Sequence, residues 1–240
     1  MPEEILLEAK EIEGGYGDFK VLHGLSFCVK KGSITCILGP NGSGKSTILK
    51  TIIGALTPWS GTILCEGVNI TNLPVHKRVK MGIALVPEGR RIFGDMTVIE
   101  NLEMGAYLKE ARVKFNEMLE RVFSLFPVLK ERKEQRASCL SGGEQQMLAI
   151  ARGLLTNPKL LMIDEPSLGL SPKLAQNLMK MLGKLRDEEG LTILLVEQNI
   201  SLTREIMDYG YVLSGGFMIA EGQFKDLVGN HEVKRAYLGL

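Results

Sequence analysis

The stretch from Gly39 to Thr47 constrains the fold of this 240-residue chain more than any other. It reads GPNGSGKST and fits the phosphate-loop pattern G-x-x-x-x-G-K-[ST]. The preceding residues 33–38, SITCIL, are typical of a buried strand, and residues 48–55 are typical of a helix. A strand, a glycine-rich turn and a helix in this order predict a nucleotide-binding α/β core.

The residue types in this stretch match what a triphosphate requires. Glycines allow a tight turn that points backbone N–H groups inward, and the helix N-terminus adds the positive end of its dipole. Lys45 would place its charge on the β- and γ-phosphates, and the Ser46 hydroxyl would bind Mg²⁺. The predicted nucleotide-binding residues here are Gly39, Pro40, Asn41, Gly42, Ser43, Gly44, Lys45, Ser46 and Thr47.

Composition excludes several classes of protein. With a net charge of +1, the chain has no overall positive potential that would attract nucleic acid, so no nucleic-acid partner is expected. The four cysteines lack C-x-x-C spacing, which indicates free thiols in a reducing compartment. The acidic opening Met1-Pro2-Glu3-Glu4 is unlike a signal peptide, and no apolar run approaches the ~20 residues of a membrane span. We therefore expect a cytoplasmic chain that does not itself cross a bilayer.

Hydrophobic patterning predicts the remaining architecture. Short apolar runs that indicate buried strands of a mainly parallel sheet occur at residues 33–38, 81–86, 160–163 and 191–196. Alternating patterns predict antiparallel pairs at residues 5–12 with 21–29 across a turn at 14–18, 62–65 with 68–70, and 209–213 with 217–220. Between about residues 93 and 157 helical spacing replaces strand patterns. The prediction is one domain, residues 1–240, with an inserted helical subdomain.

Polar residues follow each predicted core strand. The phosphate loop, Glu88, the Asp164-Glu165 pair and the Glu197-Gln198 pair each come just after one of these strands. Because ligands of such sheets lie at the carboxyl ends of the strands, we expect the four segments to converge on one edge.

The Asp164-Glu165 pair supplies the expected chemistry. Asp164 ends the run LLMI and matches the Walker-B arrangement, in which a strand beside the phosphate loop holds Mg²⁺. Glu165 would face the γ-phosphate, where it could orient or deprotonate an attacking water. Lys45 and Glu165 are therefore the predicted catalytic residues.

A second anion-binding segment lies at residues 140–146, LSGGEQQ. Ser141 and Glu144 fit a capping box, which places Gly142 and Gly143 in the first turn of a helix. One nucleotide has one γ-phosphate, and the phosphate loop already surrounds most of it. We therefore expect Ser141 and Gly142 to bind the γ-phosphate held by a partner subunit.

LSGGEQQ, lying between GPNGSGKST and LLMIDEP, resembles the signature of ATP-binding cassette (ABC) ATPases, and the resemblance spans essentially the whole chain. It implies a P-loop NTPase fold, ATP and Mg²⁺ as ligands, and two subunits closing face to face around two ATP molecules. It also implies that Gly143 belongs to the nucleotide-binding signature and that residues 167–170 form a D-loop at the dimer interface. By this resemblance, Tyr16 would stack on adenine. From spacing alone, a surface tyrosine that covers the hairpin is an equally good interpretation.

Two positions depart from the general ABC pattern. Glu88 stands where a Mg²⁺-sensing glutamine is usual, and it is expected as a Mg²⁺ ligand beside Ser46 and Asp164. Gln198 stands where a histidine contacting the γ-phosphate is usual, and it is the third expected catalytic residue beside Lys45 and Glu165. Gln198 can donate a hydrogen bond but cannot carry charge, which predicts weaker γ-phosphate sensing. Together, PEGRRIF and LVEQN resemble one of the two ATPase types of branched-chain (hydrophobic) amino acid importers.

The resemblance implies a set of partners. The direct partners are a second ATP-binding subunit (a copy or a sister ATPase) and two transmembrane permease subunits, and an extracytoplasmic solute-binding protein is an indirect partner. Through the permease subunits, the chain would lie peripherally on the cytoplasmic face of the membrane. The alternatives are an ABC ATPase for another substrate, a soluble ABC ATPase acting on DNA or ribosomes, a GTPase or kinase, and a binding module without turnover. A single cassette, the lack of an N-K-x-D motif and Glu165 argue against the last three classes.

Overall fold

Ten strands and eleven α-helices make up the part of the chain that the computed structural model describes, residues 4–238. The strands are β1 Ile5–Tyr16, β2 Phe19–Lys30, β3 Ile34–Leu38, β4 Ser60–Cys65, β5 Val68–Asn69, β6 Ile83–Val86, β7 Leu160–Asp164, β8 Thr192–Glu197, β9 Tyr209–Ser214 and β10 Phe217–Gly222. The helices are α1 Lys45–Ile53, α2 Val75–Lys80, α3 Val98–Gly105, α4 Lys109–Val113, α5 Phe115–Leu125, α6 Pro127–Glu131, α7 Gly142–Leu154, α8 Pro172–Glu189, α9 Ile200–Thr203, α10 Phe224–Gly229 and α11 His231–Leu238. Residues Met1 to Glu3, on which the signal-peptide expectation depends, lie outside the described residues.

Two sheets form the framework. The larger has the order β10-β9-β3-β8-β7-β6, and its neighbours pair in parallel except for β10 with β9. The smaller, β2-β1-β4-β5, is antiparallel. The predicted α/β fold with a mainly parallel sheet and an antiparallel β layer is confirmed.

The predicted position of the Asp164 strand is wrong in one respect. β8 lies between β3, which leads into the phosphate loop, and β7, which ends at Asp164. The sequence contains the strands but not their order, because order depends on crossovers that pack helices over the sheet. Asp164 therefore reaches the phosphate loop across the end of β8.

The first hairpin turns later than predicted. β1 continues through Tyr16, so the turn shrinks from residues 14–18 to Gly17-Asp18. Gly14 and Gly15 still pair with β2, in a ladder whose register shifts at both positions. A Cβ at Gly15 would lie 1.9 Å from the carbonyl oxygen of Phe19, so only glycine fits this close approach.

Between β6 and β7 the described chain forms helices and no strands. A capping box begins α3, with Thr97 and Glu100 each accepting the other's backbone N–H. Buried residues of α3, α5 and α7 share one hydrophobic cluster with Cys36 and Leu38 of β3. A second cluster joins α1 and the antiparallel sheet to the other face of the large sheet. No helix within residues 4–238 combines the length and apolar character that a membrane span needs.

Arg78 caps the C-terminal end of α1, the helix that follows the phosphate loop. Its sequence context does not indicate this role. It lies on α2, is 1% exposed, and its Nη1 donates to the carbonyl oxygens of Thr51 and Ile52 at the end of α1. Its remaining nitrogens donate to the carbonyls of Leu73 and Thr71. A guanidinium at a helix C-terminus satisfies the last carbonyls and complements the helix dipole.

Replacing Arg78 with methionine should lower the free energy of unfolding by about 3 kcal/mol or more, because several buried carbonyls lose their donors. The exposed Lys80 at the end of the same helix offers a matched control. Lys80→Met should shift stability by no more than about 0.5 kcal/mol in urea unfolding. Equal losses in the two variants would contradict the capping role of Arg78.

Candidate active site

The carboxyl ends of four parallel strands bring the predicted segments to one edge. β3 and β7 both pair with β8, and β6 pairs with β7, all in parallel. The expected convergence of the four segments is thus confirmed. A cavity of about 280 Å³ here is lined by phosphate-loop residues together with Glu88, Glu165 and Leu168.

The backbone of the phosphate loop depends on glycine. Gly42 and Gly44 have φ values of 77° and 104°, and Gly44 caps α1 without any side-chain acceptor for its first N–H groups. A Cβ at Gly39 would lie 2.2 Å from the carbonyl oxygen of Leu213. The Ser43 hydroxyl is buried without a hydrogen-bond partner among the described residues. Unpaired N–H groups and a spare buried hydroxyl fit a bound polyphosphate.

Lys45 lines this cavity and is 3% exposed. Its Nζ donates to the carbonyl oxygens of Gly39 and Pro40, both at 2.9 Å. It also lies 3.0 Å from Oε1 of Glu165, whose side chain is 10% exposed. Two of the three predicted catalytic residues are therefore directly paired, and the ammonium neutralises the largely buried carboxylate.

Ser46 and Asp164 form the candidate cation site. The Ser46 hydroxyl donates to Oδ1 of Asp164 at 3.2 Å. Burial raises the pKa of Asp164, the nearby charges of Glu165 and Glu88 add to this, and the Ser46 hydrogen bond and Lys45 oppose it. Within residues 4–238 no group of three or more His, Cys, Asp or Glu is arranged to hold a metal. One carboxylate and one hydroxyl nevertheless fit Mg²⁺, which keeps several waters and takes phosphate oxygens as ligands.

Glu165 has an unusual backbone conformation. Its φ of 45° lies in the left-handed region, where a non-glycine residue is uncommon and costly. The conformation is supported by the neighbouring strand, because the Glu165 N–H donates to the carbonyl oxygen of Val196 at 3.0 Å. The end of β8 thus fixes the direction in which the Glu165 side chain leaves the sheet.

Tyr16 lies beside the helix that follows the phosphate loop. Its hydroxyl is 3.5 Å from Oγ1 of Thr47 and accepts from Nζ of Lys50 at 3.3 Å. The side chain is 47% exposed, so much of its ring is open to solvent. This placement provides an aromatic surface next to the phosphate-binding residues.

The second anion-binding segment begins α7 as the sequence predicts. The capping box is present: Glu144 N–H donates to the Ser141 hydroxyl at 3.4 Å, and Ser141 N–H donates to Oε2 of Glu144 at 2.8 Å. A Cβ at Gly143 would lie 3.0 Å from Leu174 Cδ1. The hydrogen bonds and ion pairs of residues 4–238 include none between this turn and the phosphate loop. The described chain therefore presents two separate glycine-containing helix N-termini.

Arg90 links the segment after β6 to this turn. Its Nη1 donates to Oε1 of Gln145 at 3.1 Å, and a Cβ at Gly142 would lie 2.9 Å from Nη2. Arg90 and Arg91 both have left-handed backbones, with φ of 66° and 46°. The two arginines are part of the motif PEGRRIF, but the motif alone does not predict what they contact.

The end of β8 contains a residue, Glu197, for which the sequence analysis predicts no role. Gln198 is exposed, whereas Glu197 is 1% exposed and accepts two hydrogen bonds from Ser167. Burial raises the pKa of Glu197, although the Ser167 hydrogen bonds oppose the shift. The signal available in the sequence was an acidic residue ending an otherwise apolar strand.

The C-terminal helix α11 also reaches this region, and sequence reasoning did not predict that helix. The hydroxyl of Tyr237 is buried and lies near the backbone of Gly39. Burial, with the negative charges of Glu197 and Glu165, raises the pKa of Tyr237 well above its ordinary value. A side chain near the end of the chain therefore packs close to the catalytic edge.

Comparison with known proteins agrees with this geometry. Residues 22–168 match the family model described as ABC transporter. The chain is 44% identical over 234 residues to the high-affinity branched-chain amino acid transport ATP-binding protein BraG of Pseudomonas aeruginosa, covering 98% of this chain and 100% of that protein. It is 39% identical to a probable branched-chain amino acid transport ATP-binding protein, LivF, of Archaeoglobus fulgidus, covering 98% and 99%. It is 32% identical to the lipopolysaccharide export ATP-binding protein LptB of Escherichia coli, covering 97% of each.

Solved structures show the same fold. A nucleotide-free ATP-binding cassette of an ABC transporter superposes with a TM-score of 0.86 at 32% identity, covering 98% of this chain and 100% of that one. A dimeric cassette in a post-hydrolysis state, bound to ADP and Pi, superposes with a TM-score of 0.79 at 25% identity, covering 91% and 99%. The match to the family model and to full-length relatives shows that the chain belongs to the ABC transporter family as one of its ATP-hydrolysing subunits.

Proposed function

We propose that this subunit drives uptake of branched-chain or other hydrophobic amino acids through separate permease subunits. The observation that carries the proposal is 44% identity, over essentially the whole chain, to an ATP-binding protein of branched-chain amino acid transport. The segments PEGRRIF and LVEQN support it, because Glu88 and Gln198 depart from the general ABC pattern in the way expected of this transporter type. Export of a lipid, as named for the relatives at 32% identity, is the second candidate.

In the proposed mechanism, phosphate oxygens of ATP accept the hydrogen bonds of the phosphate-loop N–H groups and of Lys45 Nζ. Ser46 and Asp164, with Glu88 nearby, would hold Mg²⁺, which neutralises charge on the phosphates when it is bound. Because Lys45 pairs with Glu165, binding of the phosphates to the ammonium releases the carboxylate. Glu165 then accepts a proton from the attacking water, and Gln198 donates an amide hydrogen bond toward the γ-phosphate. Tyr16 would support the adenine ring.

A second subunit completes each site in this proposal. Ser141, Gly142 and Gly143 make no hydrogen bond to the phosphate loop among the described residues. The N–H groups of Gly142 and Gly143 in the first turn of α7 suit the γ-phosphate held by the other subunit. The family includes dimeric cassettes, which supports this arrangement. ATP would favour the closed dimer, and hydrolysis would reopen it.

The proposed docking face for the permease lies in the region 93–157, which we infer to be the helical subdomain. A groove of about 310 Å³ runs between β6, α2 and α3, and Phe93, Met104 and Tyr107 line it with exposed side chains. Docking there would hold the subunit on the cytoplasmic face of the membrane. The extracytoplasmic solute-binding protein would contact only the permease.

Transport provides the direct test. The chain should co-purify with two permease subunits, and vesicles containing the complex should take up radiolabelled leucine only with ATP. Phe93→Asp should abolish both association and uptake while ATP binding by the free chain stays unchanged. Uptake of leucine that is independent of this subunit, or co-purification with lipid-export membrane proteins, would contradict the assignment.

Gln198→His should raise the rate of ATP hydrolysis two- to tenfold, because an imidazole can carry charge toward the γ-phosphate and a neutral amide cannot. Steady-state phosphate release measures the effect. Gln223→His, at the beginning of α10, is the control and should leave the rate unchanged. An unchanged rate in Gln198→His would reject the idea that Gln198 weakens γ-phosphate sensing.

A further inference from the structure

A buried carboxylate joins two catalytic segments that are 30 residues apart. Glu197 is the last residue of β8 and is 1% exposed. Its Oε1 accepts from the backbone N–H of Ser167 at 3.1 Å, and its Oε2 accepts from the Ser167 hydroxyl at 2.9 Å. Both oxygens are thus used by a single residue of the D-loop.

The Glu197 carboxylate matches both donors of Ser167. An ionised carboxylate only accepts hydrogen bonds, and it can take both Ser167 donors at once. A glutamine could keep both contacts in neutral form, because its oxygen can accept from the N–H and its NH₂ group can donate to the hydroxyl oxygen. An apolar side chain could keep neither contact, and it would leave the Ser167 N–H without a partner. Replacing Glu197 with an apolar residue should therefore release Ser167.

The same strand end fixes the residue expected to act as general base. Val196 accepts the Glu165 N–H at 3.0 Å, and the next residue, Glu197, holds Ser167. Two consecutive residues of β8, Val196 and Glu197, therefore accept hydrogen bonds from the two ends of the segment from Glu165 to Ser167. This segment contains the left-handed Glu165 backbone, and Gln198 follows immediately after Glu197.

We propose that Glu197 is a positioning residue for ATP hydrolysis, which holds Ser167 so that Glu165, the D-loop and Gln198 keep a fixed relative geometry. The inference rests on the proposed role of Glu165 as general base. Glu197 itself contacts neither water nor nucleotide in this scheme. Its effect passes through the backbone of residues 165–167.

The test measures kcat and KM for ATP in Glu197→Leu and Ser167→Ala. Glu197→Leu removes both acceptors and should lower kcat about tenfold, whereas Ser167→Ala removes only the hydroxyl contact and should lower kcat by less. KM should change less than twofold in both, because the phosphate-binding residues are untouched. The double variant should be no slower than Glu197→Leu, since that variant already removes the whole link. Ser167→Thr keeps the hydroxyl and should retain most of the activity. Glu66→Gln, which removes a carboxylate paired with Lys159 on the surface, is the matched control and should keep the wild-type kcat.

A merely structural role for Glu197 would give a different pattern. Thermal stability would fall, but kcat per folded molecule would stay at the wild-type value, and this result would overturn the proposal. Additive losses in the double variant would overturn it as well. If Glu197→Leu does not fold, Ser167→Ala alone decides, since Ser167 lies in a partly exposed loop. Persistent hydrolysis in Glu165→Gln would instead reject the general-base assignment, so the two failures are distinguishable.

Discussion

Glu165→Gln should reduce the rate of ATP hydrolysis by about 10²- to 10⁴-fold, the usual contribution of a general base. The amide cannot accept the proton of the attacking water, but its oxygen can still accept a hydrogen bond from Lys45. ATP binding should therefore persist, and the subunit should accumulate as an ATP-bound dimer. Phosphate release measures the first effect, and analytical ultracentrifugation with and without ATP measures the second.

Two outcomes would contradict this expectation. Hydrolysis within tenfold of the wild-type rate would reject Glu165 as the base. Loss of hydrolysis without any ATP-dependent dimer would reject closure by a second subunit, while leaving the base assignment intact. Glu66→Gln serves again as the control, because Glu66 pairs with Lys159 near the opposite end of the strands.

Lys45→Met should abolish measurable hydrolysis and weaken ATP binding by about ten- to hundredfold, the range expected when one hydrogen bond to a charged group is lost. The variant removes the donor to Gly39 and Pro40 carbonyls and leaves the Glu165 carboxylate without its counter-ion. Equilibrium titration with a fluorescent ATP analogue measures affinity, and phosphate release measures turnover.

Lys159→Met is the matched control for this variant, because it also removes one lysine ion pair but at an exposed site. Its ATP affinity and turnover should equal those of the wild type. Wild-type affinity in Lys45→Met would show that the ammonium contributes nothing to phosphate binding, and turnover within tenfold of the wild type would reject its catalytic role.

The sequence predicted features whose causes are local. Gly42 and Gly44 must adopt left-handed backbones, and the Ser141 capping box involves residues three positions apart, so short patterns reveal both. Strand segments and their parallel arrangement also followed from hydrophobic runs. Hydrophobic runs and the polar residues that follow them are therefore enough to place the four segments at one edge of the sheet.

Features that depend on long-range packing were missed or misplaced. β8 lies between β3 and β7 because of how the crossover connections pack helices over the sheet. The sequence of the strand LLMI does not indicate this order. Arg78 looks like an ordinary basic residue of a polar helix, yet it is buried because distant carbonyls need donors. Glu197 and Ser167 are 30 residues apart, so no spacing pattern links them.

The segment around Phe93 has a consequence for how fast partners associate. Its backbone N–H and carbonyl both bond the side chain of Asn101, which is 0% exposed, and Arg152 lies over the Phe93 ring at 5.1 Å. A surface ordered before contact loses little conformational entropy when a partner binds. Docking at Phe93 should therefore proceed at about 10⁵–10⁷ M⁻¹s⁻¹, as for rigid partners, without a slower folding step.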